Sequence, residues 1–152
     1  MRSKFLWAVL VLVAAPALAA GMLGPDPALS PADVVETQLS ALQTNDSPEV
    51  DAGIARTWAF AHPDNKRVTG PLARFAQMIK GPQYRMLLGH RAHEIEEVAR
   101  SEDGVVFAVT VTGASGEVVI YQWQVGKVVE GKEAGAWMTT AVSPPIRAGN
   151  AI

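Results

Sequence analysis

The chain has no cysteine. Disulfides, thiolate nucleophiles, cysteine metal centres and lipid attachment through a cysteine are therefore excluded, and packing alone must hold the fold. A basic excess is also missing: 13 Lys and Arg stand against 15 Asp and Glu, a formal net charge of −2 with His neutral. Proteins that bind nucleic acid concentrate Lys and Arg on one face, so no nucleic-acid partner is expected. There is no polybasic run of the kind that docks on membranes. A Gly-x-Ser-x-Gly elbow, a glycine loop that would cradle phosphate, and a repeat of fixed period are all lacking. Common hydrolase, nucleotide-binding and solenoid classes fall away with them.

The one long apolar run lies at the start. Arg2 and Lys4 precede Phe5 to Ala15, and Pro16-Ala17-Leu18-Ala19 follows as a small-residue cleavage pattern. A spanning helix needs about 20 apolar residues and this run has roughly 11 to 15, so it reads as a secretory signal peptide. Cleavage near Ala19 would send the protein to the periplasm or outside the cell, with no membrane attachment afterwards. Removing Arg2 and Lys4 takes the net charge to about −4 and leaves about 133 residues, enough for one domain with its own core. The expected organisation is a signal peptide over 1–19, a flexible leader over 20–29, one domain over 30–143 and a disordered tail over 144–152.

Ser30-Pro31-Ala32-Asp33 is a helix start, with Ser30 as N-cap and an acid in the first turn. Val35, Leu39 and Leu42 follow at helical spacing, which predicts a helix over 31–43. A second is expected over 50–61, where Ile54 and Trp58 stand four apart. His62-Pro63-Asp64-Asn65 reads as a turn, because a residue before proline is pushed out of helical geometry. Gly70-Pro71 opens a third helix, with Leu72, Phe75 and Ile79 on one face, and Gly81-Pro82 closes it. A helical turn over 83–87 is expected next.

The period then changes. Val105, Phe107, Val109 and Val111 alternate with Val106, Ala108, Thr110 and Thr112, predicting a strand covered on much of both faces. Gly113-Ala114-Ser115-Gly116 is a hairpin loop. Val119, Tyr121, Trp123 and Val125 form the apolar face of the next strand, and Ala136 to Val142 makes another. Residues 90–100 suit a three-residue helical spacing or a bulged strand, and strand is preferred. Helices first and an antiparallel meander second predict an α+β fold, with N-terminal helices packed on one face of a curved antiparallel sheet. The order is similar to the nuclear transport factor 2-like and cystatin-like cones.

Phe60, Pro63, Asn65, Gly70-Pro71, Phe75 and Met78, then Tyr84, Leu88-Gly89, Tyr121-x-Trp123 and Trp137-Met138-Thr139, resemble a family of small exported bacterial proteins. That family is catalogued as domain of unknown function 4864, and the resemblance covers about Ser30 to Val142. It implies no particular activity. A cysteine often precedes the family's Trp-Met-Thr element and an acid follows it, whereas this chain has Ala136 and Thr140 there. Chemistry resting on either side chain is closed to it.

Three small clusters carry reactive residue types. His90 and His93 precede Glu94, Glu96 and Glu97, but alternation along a strand would separate the two imidazoles, and zinc needs at least three convergent ligands. No metal is expected, and the glutamates read as a solvated edge that resists strand pairing. His62 and Asp64 could form a general-base pair, although a turn position favours capping. Asn65, Lys66 and Arg67 could hold a small anion at a helix start. No cofactor is expected.

The aromatic residues are the more informative set. A helix-covered sheet can enclose a cavity, and aromatic walls with a few polar groups are the usual composition of a small-ligand site. Trp58, Tyr84, Tyr121, Trp123 and Trp137 are the candidate ligand-binding walls, with Gln122, Gln124, Arg74 or His90 as candidate polar groups; plain core filling is the competing reading. Three functions stay open. The preferred one is a non-catalytic domain that holds a small, partly apolar ligand. A homodimerisation or partner-docking module would use the open sheet face with Gln122 and Gln124. A hydratase-like or isomerase-like enzyme would use His62 or His90 as base and Tyr84 as proton donor.

Overall fold

Ser30 closes a capping box at the first helix. Its Oγ accepts from the Asp33 N–H at 3.1 Å, and Asp33 Oδ2 accepts from the Ser30 N–H at 2.9 Å. A computed structural model of the chain describes residues 24–148. The expected signal peptide lies outside the described residues, as does the end of the expected tail. Among the described residues, no helix is long and apolar enough to cross a membrane.

The capped helix α1 runs Pro31–Gln43 and buries Val34, Val35, Gln38, Leu39 and Leu42. Helix α2, Ala52–Ala59, is shorter than the periodicity predicts, because Asp51 takes a left-handed conformation (φ 61°) just before it. Asn45 caps it from a distance, its Oδ1 accepting from the Ile54 N–H at 2.9 Å. Helix α3, Pro63–Thr69, corrects the expected turn. His62 is indeed extended (ψ 145°), but that is the geometry of an N-cap, and its Nδ1 accepts from the Asp64 N–H at 3.1 Å. Proline suits the first helical position because the N–H it lacks would have no partner there. Helix α4, Leu72–Ile79, buries Phe75 and Ile79, and one 3₁₀ turn follows at Arg85–Leu87.

The strands are β1 (Ala92–Arg100), β2 (Gly104–Thr112), β3 (Val118–Lys127), β4 (Trp137–Val142) and β5 (Ile146–Arg147). They form one antiparallel sheet in the order β1-β2-β3-β4, with β5 pairing β3 beyond the end of β4. The chain is therefore α+β. Strand β1 carries a bulge between Glu97 and Ala99, which leaves Val98 unpaired and exposed. Ile146–Arg147, inside the segment expected to be a tail, pairs with Ile120 and Val119.

Alternation assigns the faces. Val105, Phe107, Val109 and Val111 of β2, with Val119, Tyr121, Trp123 and Val125 of β3, are buried against the helices. Glu94, Glu96, Gln122 and Gln124 are exposed on the other face. Helix α1 packs across β1, β3 and β4; α2 packs on α1, and α4 on α2. Helix α3 meets β4 at its edge, where Ala61 bridges Thr139, and packs on α4.

Candidate functional site

The floor of the site is a buried polar cluster on an otherwise apolar face. Trp123 on β3 donates its indole N–H to Gln38 Oε1 (3.0 Å) and Thr139 Oγ1 (3.1 Å). The Thr139 hydroxyl donates to Gln38 Oε1 at 2.5 Å, and Gln38 Nε2 donates to the Thr57 carbonyl at 3.0 Å. Three elements are thereby joined through α1, because unpaired polar atoms in such a place would each cost about 1–3 kcal/mol.

Above this floor lies a cavity of about 420 Å³. Its walls are Leu42 of α1, Phe75, Met78 and Ile79 of α4, Tyr84 and Leu87 of the following turn, and Trp123 of β3. Its exposed rim is Asp64 and Val68 of α3 with Ala141 of β4. The size falls in the range of small-molecule sites.

Helix α3 is fastened beside this rim at one atom. The Thr139 carbonyl accepts from the His62 N–H at 2.8 Å and from Asn65 Nδ2 at 3.2 Å. Thr69 Oγ1 donates to the Asn65 carbonyl at 2.9 Å. Asp64 pairs with Arg67 one turn along. Lys66 and Arg67, expected at a helix start, are inside α3, and Lys66 Nζ stands 5.6 Å from the centre of the Trp58 ring.

The expected aromatic wall is divided. Tyr84 and Trp123 line the cavity. Tyr121 lies behind Tyr84 with ring centroids 6.1 Å apart, and its hydroxyl donates to the Gln83 carbonyl at 2.9 Å. Burial pushes the Tyr121 phenol up to about 12, with a smaller contribution from Tyr84. Trp58 packs outside the wall on Phe75, centroids 5.1 Å apart. Trp137 faces Lys127, whose Nζ is 5.1 Å from the ring centre. Gln38 and Thr57 were not singled out by the sequence, and Thr139 entered only as part of the Trp137-Met138-Thr139 element; a glutamine within the apolar stripe of α1 was the other available signal.

Catalytic groups are sparse in this cavity. Neither His62 nor His90 is among its lining residues, and burial lowers the pKa of both imidazoles. Tyr84 donates its hydroxyl to the Val142 carbonyl at 2.8 Å, and burial raises its pKa. Gln122, Gln124 and Arg74 also stand outside the lining.

His90 and His93 meet instead of separating, correcting the strand-based expectation: His90 Nε2 is 2.7 Å from His93 Nδ1. His90 precedes β1 and follows Gly89 at φ 64°, so strand alternation does not apply to it. Their further partner is Glu36, and no group of three or more potential metal-holding side chains occurs among the described residues.

Residues 28–145 match the family described as a domain of unknown function (DUF4864). No curated protein and no solved structure matches the chain.

Proposed function

Because the chain belongs to the DUF4864 family, whose description assigns no activity, its own geometry must suggest a role, and we propose that it binds a small, mainly apolar molecule without transforming it. The carrying observation is the cavity of about 420 Å³ walled by Leu42, Phe75, Met78, Ile79, Tyr84 and Trp123. Burying apolar ligand surface there contributes roughly 25 cal/mol per Å² before the cost of association. The architecture is read as a nuclear transport factor 2-like cone, in which helices close one side of a curved sheet. The reading of Arg2 to Ala19 as a cleaved leader supports a periplasmic or extracellular role for this binder.

Naphthalene is a suitable probe, because the Trp123 indole N–H reports the cavity floor directly. Its addition should shift the Trp123 indole NMR signal saturably. Val68→Trp, a change at a rim position that is 71% exposed, should abolish the shift while leaving the fold intact. Trp137→Ala should leave it unchanged. Absence of saturable binding, or equal binding by V68W, would refute the reading.

A second reading is favoured by the open sheet face. Val106, Ala108 and Ile120 are only half-buried there, and Ile146 beside Ile120 is 64% exposed. Pairing of two copies through this face would give a dimer in sedimentation that Ile146→Glu dissociates. A monomer at high concentration would dismiss it.

A further inference from the structure

The hydroxyl and indole donors of the cavity are already engaged, and each lining carboxamide keeps only its second N–H. Among its lining residues, five side chains carry a hydroxyl: Thr57, Thr69, Tyr84, Thr139 and Thr140. A hydroxyl has one hydrogen to give and two lone pairs to offer. Thr57 Oγ1 donates to the Gly53 carbonyl (2.9 Å), Thr69 Oγ1 to the Asn65 carbonyl (2.9 Å), and Thr140 Oγ1 to the Gln124 carbonyl (3.2 Å). Tyr84 gives its hydrogen to Val142, and Thr139 gives its own to Gln38. The Trp123 indole N–H is shared between Gln38 and Thr139. Each lining carboxamide uses an N–H as well, Gln38 on Thr57 and Asn65 on Thr139. The charged group at the rim is the Asp64 carboxylate.

What this lining offers a guest is therefore an excess of acceptors, with a carboxylate at the rim. We infer that the cavity selects an apolar molecule carrying a hydrogen-bond donor, a phenol or alcohol, and rejects the same skeleton bearing a carboxylate. A guest hydroxyl can donate to an unused lone pair of Thr57 or Thr139 without disturbing any existing bond. A guest carboxylate finds no hydroxyl hydrogen free and loses its hydration on entering an apolar wall. Phenols and alcohols share the recognised chemistry.

This inference rests on the cavity reading, and four compounds of one skeleton separate the two. Titration of the whole protein with naphthalene, 2-naphthol, 2-methoxynaphthalene and 2-naphthoate, followed by the Trp123 indole signal, should rank 2-naphthol first. Its advantage over the ether and over the carboxylate should be about tenfold, the value of one added hydrogen bond in a dry site. Thr57→Val or Thr139→Val should remove that advantage, read as the ratio of 2-naphthol to ether affinity within each variant. Thr57→Val is the safer change, because it loses a bond within α2 and a long 3.5 Å bond to the Gln38 carbonyl but leaves the Trp123 indole its two acceptors. If 2-naphthol binds no more tightly than the ether, or if 2-naphthoate equals it, the donor selection is overturned and the cavity reading stands. If neither variant alters the ratio, the assignment to these hydroxyls is overturned. If none of the four compounds binds saturably, both readings fall.

Discussion

His90 and His93 share a hydrogen across 2.7 Å, His90 Nε2 to His93 Nδ1, and their partners determine how many hydrogens the two rings hold. His90 Nδ1 faces the Leu87 carbonyl at 2.7 Å, which can only accept, so that nitrogen carries hydrogen. His93 Nε2 faces both Glu36 carboxylate oxygens at 3.0 Å, so it carries one too. The contact between the rings needs one hydrogen more. This run of contacts from the Leu87 carbonyl through both rings to Glu36 joins α1 to the start of β1.

Hydrogens on both nitrogens of that contact would break it, so acid should loosen the fold. Burial, and then the charge of His93, lowers the pKa of His90. Burial of Glu36 acts to raise its pKa, but hydrogen bonds from Ser40 and His93 and the charges of His93 and His90 outweigh it, and its pKa is lowered. In both cases the unfolded chain binds more protons than the folded one, so stability rises with pH and is lost as pH falls. The His90 contribution should fade from about pH 6.5 downward, and that of Glu36 from about 4.5. Thermal melts between pH 4 and 8 should show this decline. His90→Asn should flatten the part just below pH 6.5, and an unchanged slope would assign that part to other groups.

Gly53 marks the closest approach of α1 and α2. A Cβ added there would lie 2.1 Å from the Ala41 carbonyl oxygen and 2.7 Å from the Asn45 Cα, both backbone atoms that cannot swing aside. Gly53→Ala should therefore destabilise by at least the ~1–3 kcal/mol typical of overpacking. Gly24→Ala, where a Cβ would meet nothing within 4 Å, should be neutral in the same urea titration. Equal midpoints for the two variants would mean that the helices can separate at little cost.

Gln38 and Trp123 are 85 residues apart and joined by a buried bond. Gln38→Leu leaves the Thr139 hydroxyl without its acceptor, at about 1–3 kcal/mol, while the indole N–H keeps only Thr139 Oγ1. Trp123→Phe removes the donor and some packing. The double variant should cost less than the sum of the two, by about 1 kcal/mol or more in a urea-based cycle. Strict additivity would show that the bond contributes nothing to stability.

The sequence could be read wherever local rules agreed with the tertiary outcome. Ser30-Pro31-Ala32-Asp33 defined the start of α1, and the alternation from Val105 to Val111 and from Val119 to Val125 identified the buried faces of β2 and β3. Reading failed where one local signal served two structures. His62-Pro63 excludes a helix before the proline and favours one after it, so a turn and the N-cap of α3 look alike. The site was half legible for a similar reason. Tyr121 and Trp123 share a strand face, but only Trp123 lies over the cavity, while Tyr84 from another element stands between Tyr121 and that space. Gln38 and Thr139 acquire their meaning from partners 85 and 101 residues distant, and although Thr139 stands in the Trp137-Met138-Thr139 element, neither a period nor that element encodes the pairing.

Helix α3 should be the part of this domain that opens first. It has seven residues and buries none of them, whereas β2 and β3 are anchored by a continuous apolar face. Its two bonds to the Thr139 carbonyl come from its N-cap and from Asn65, leaving its last turn tied to the body mainly through the contact of Lys66 with the Trp58 ring. Asn65→Ala removes one of the two anchors and keeps helix propensity, so the effect falls on docking and not on helix formation. Amide exchange within α3 should accelerate about tenfold, as expected for loss of a bond worth about 1 kcal/mol, while amides of β2 and β3 keep their protection. Acceleration spread evenly over helix and sheet would instead show that α3 unfolds only together with the domain.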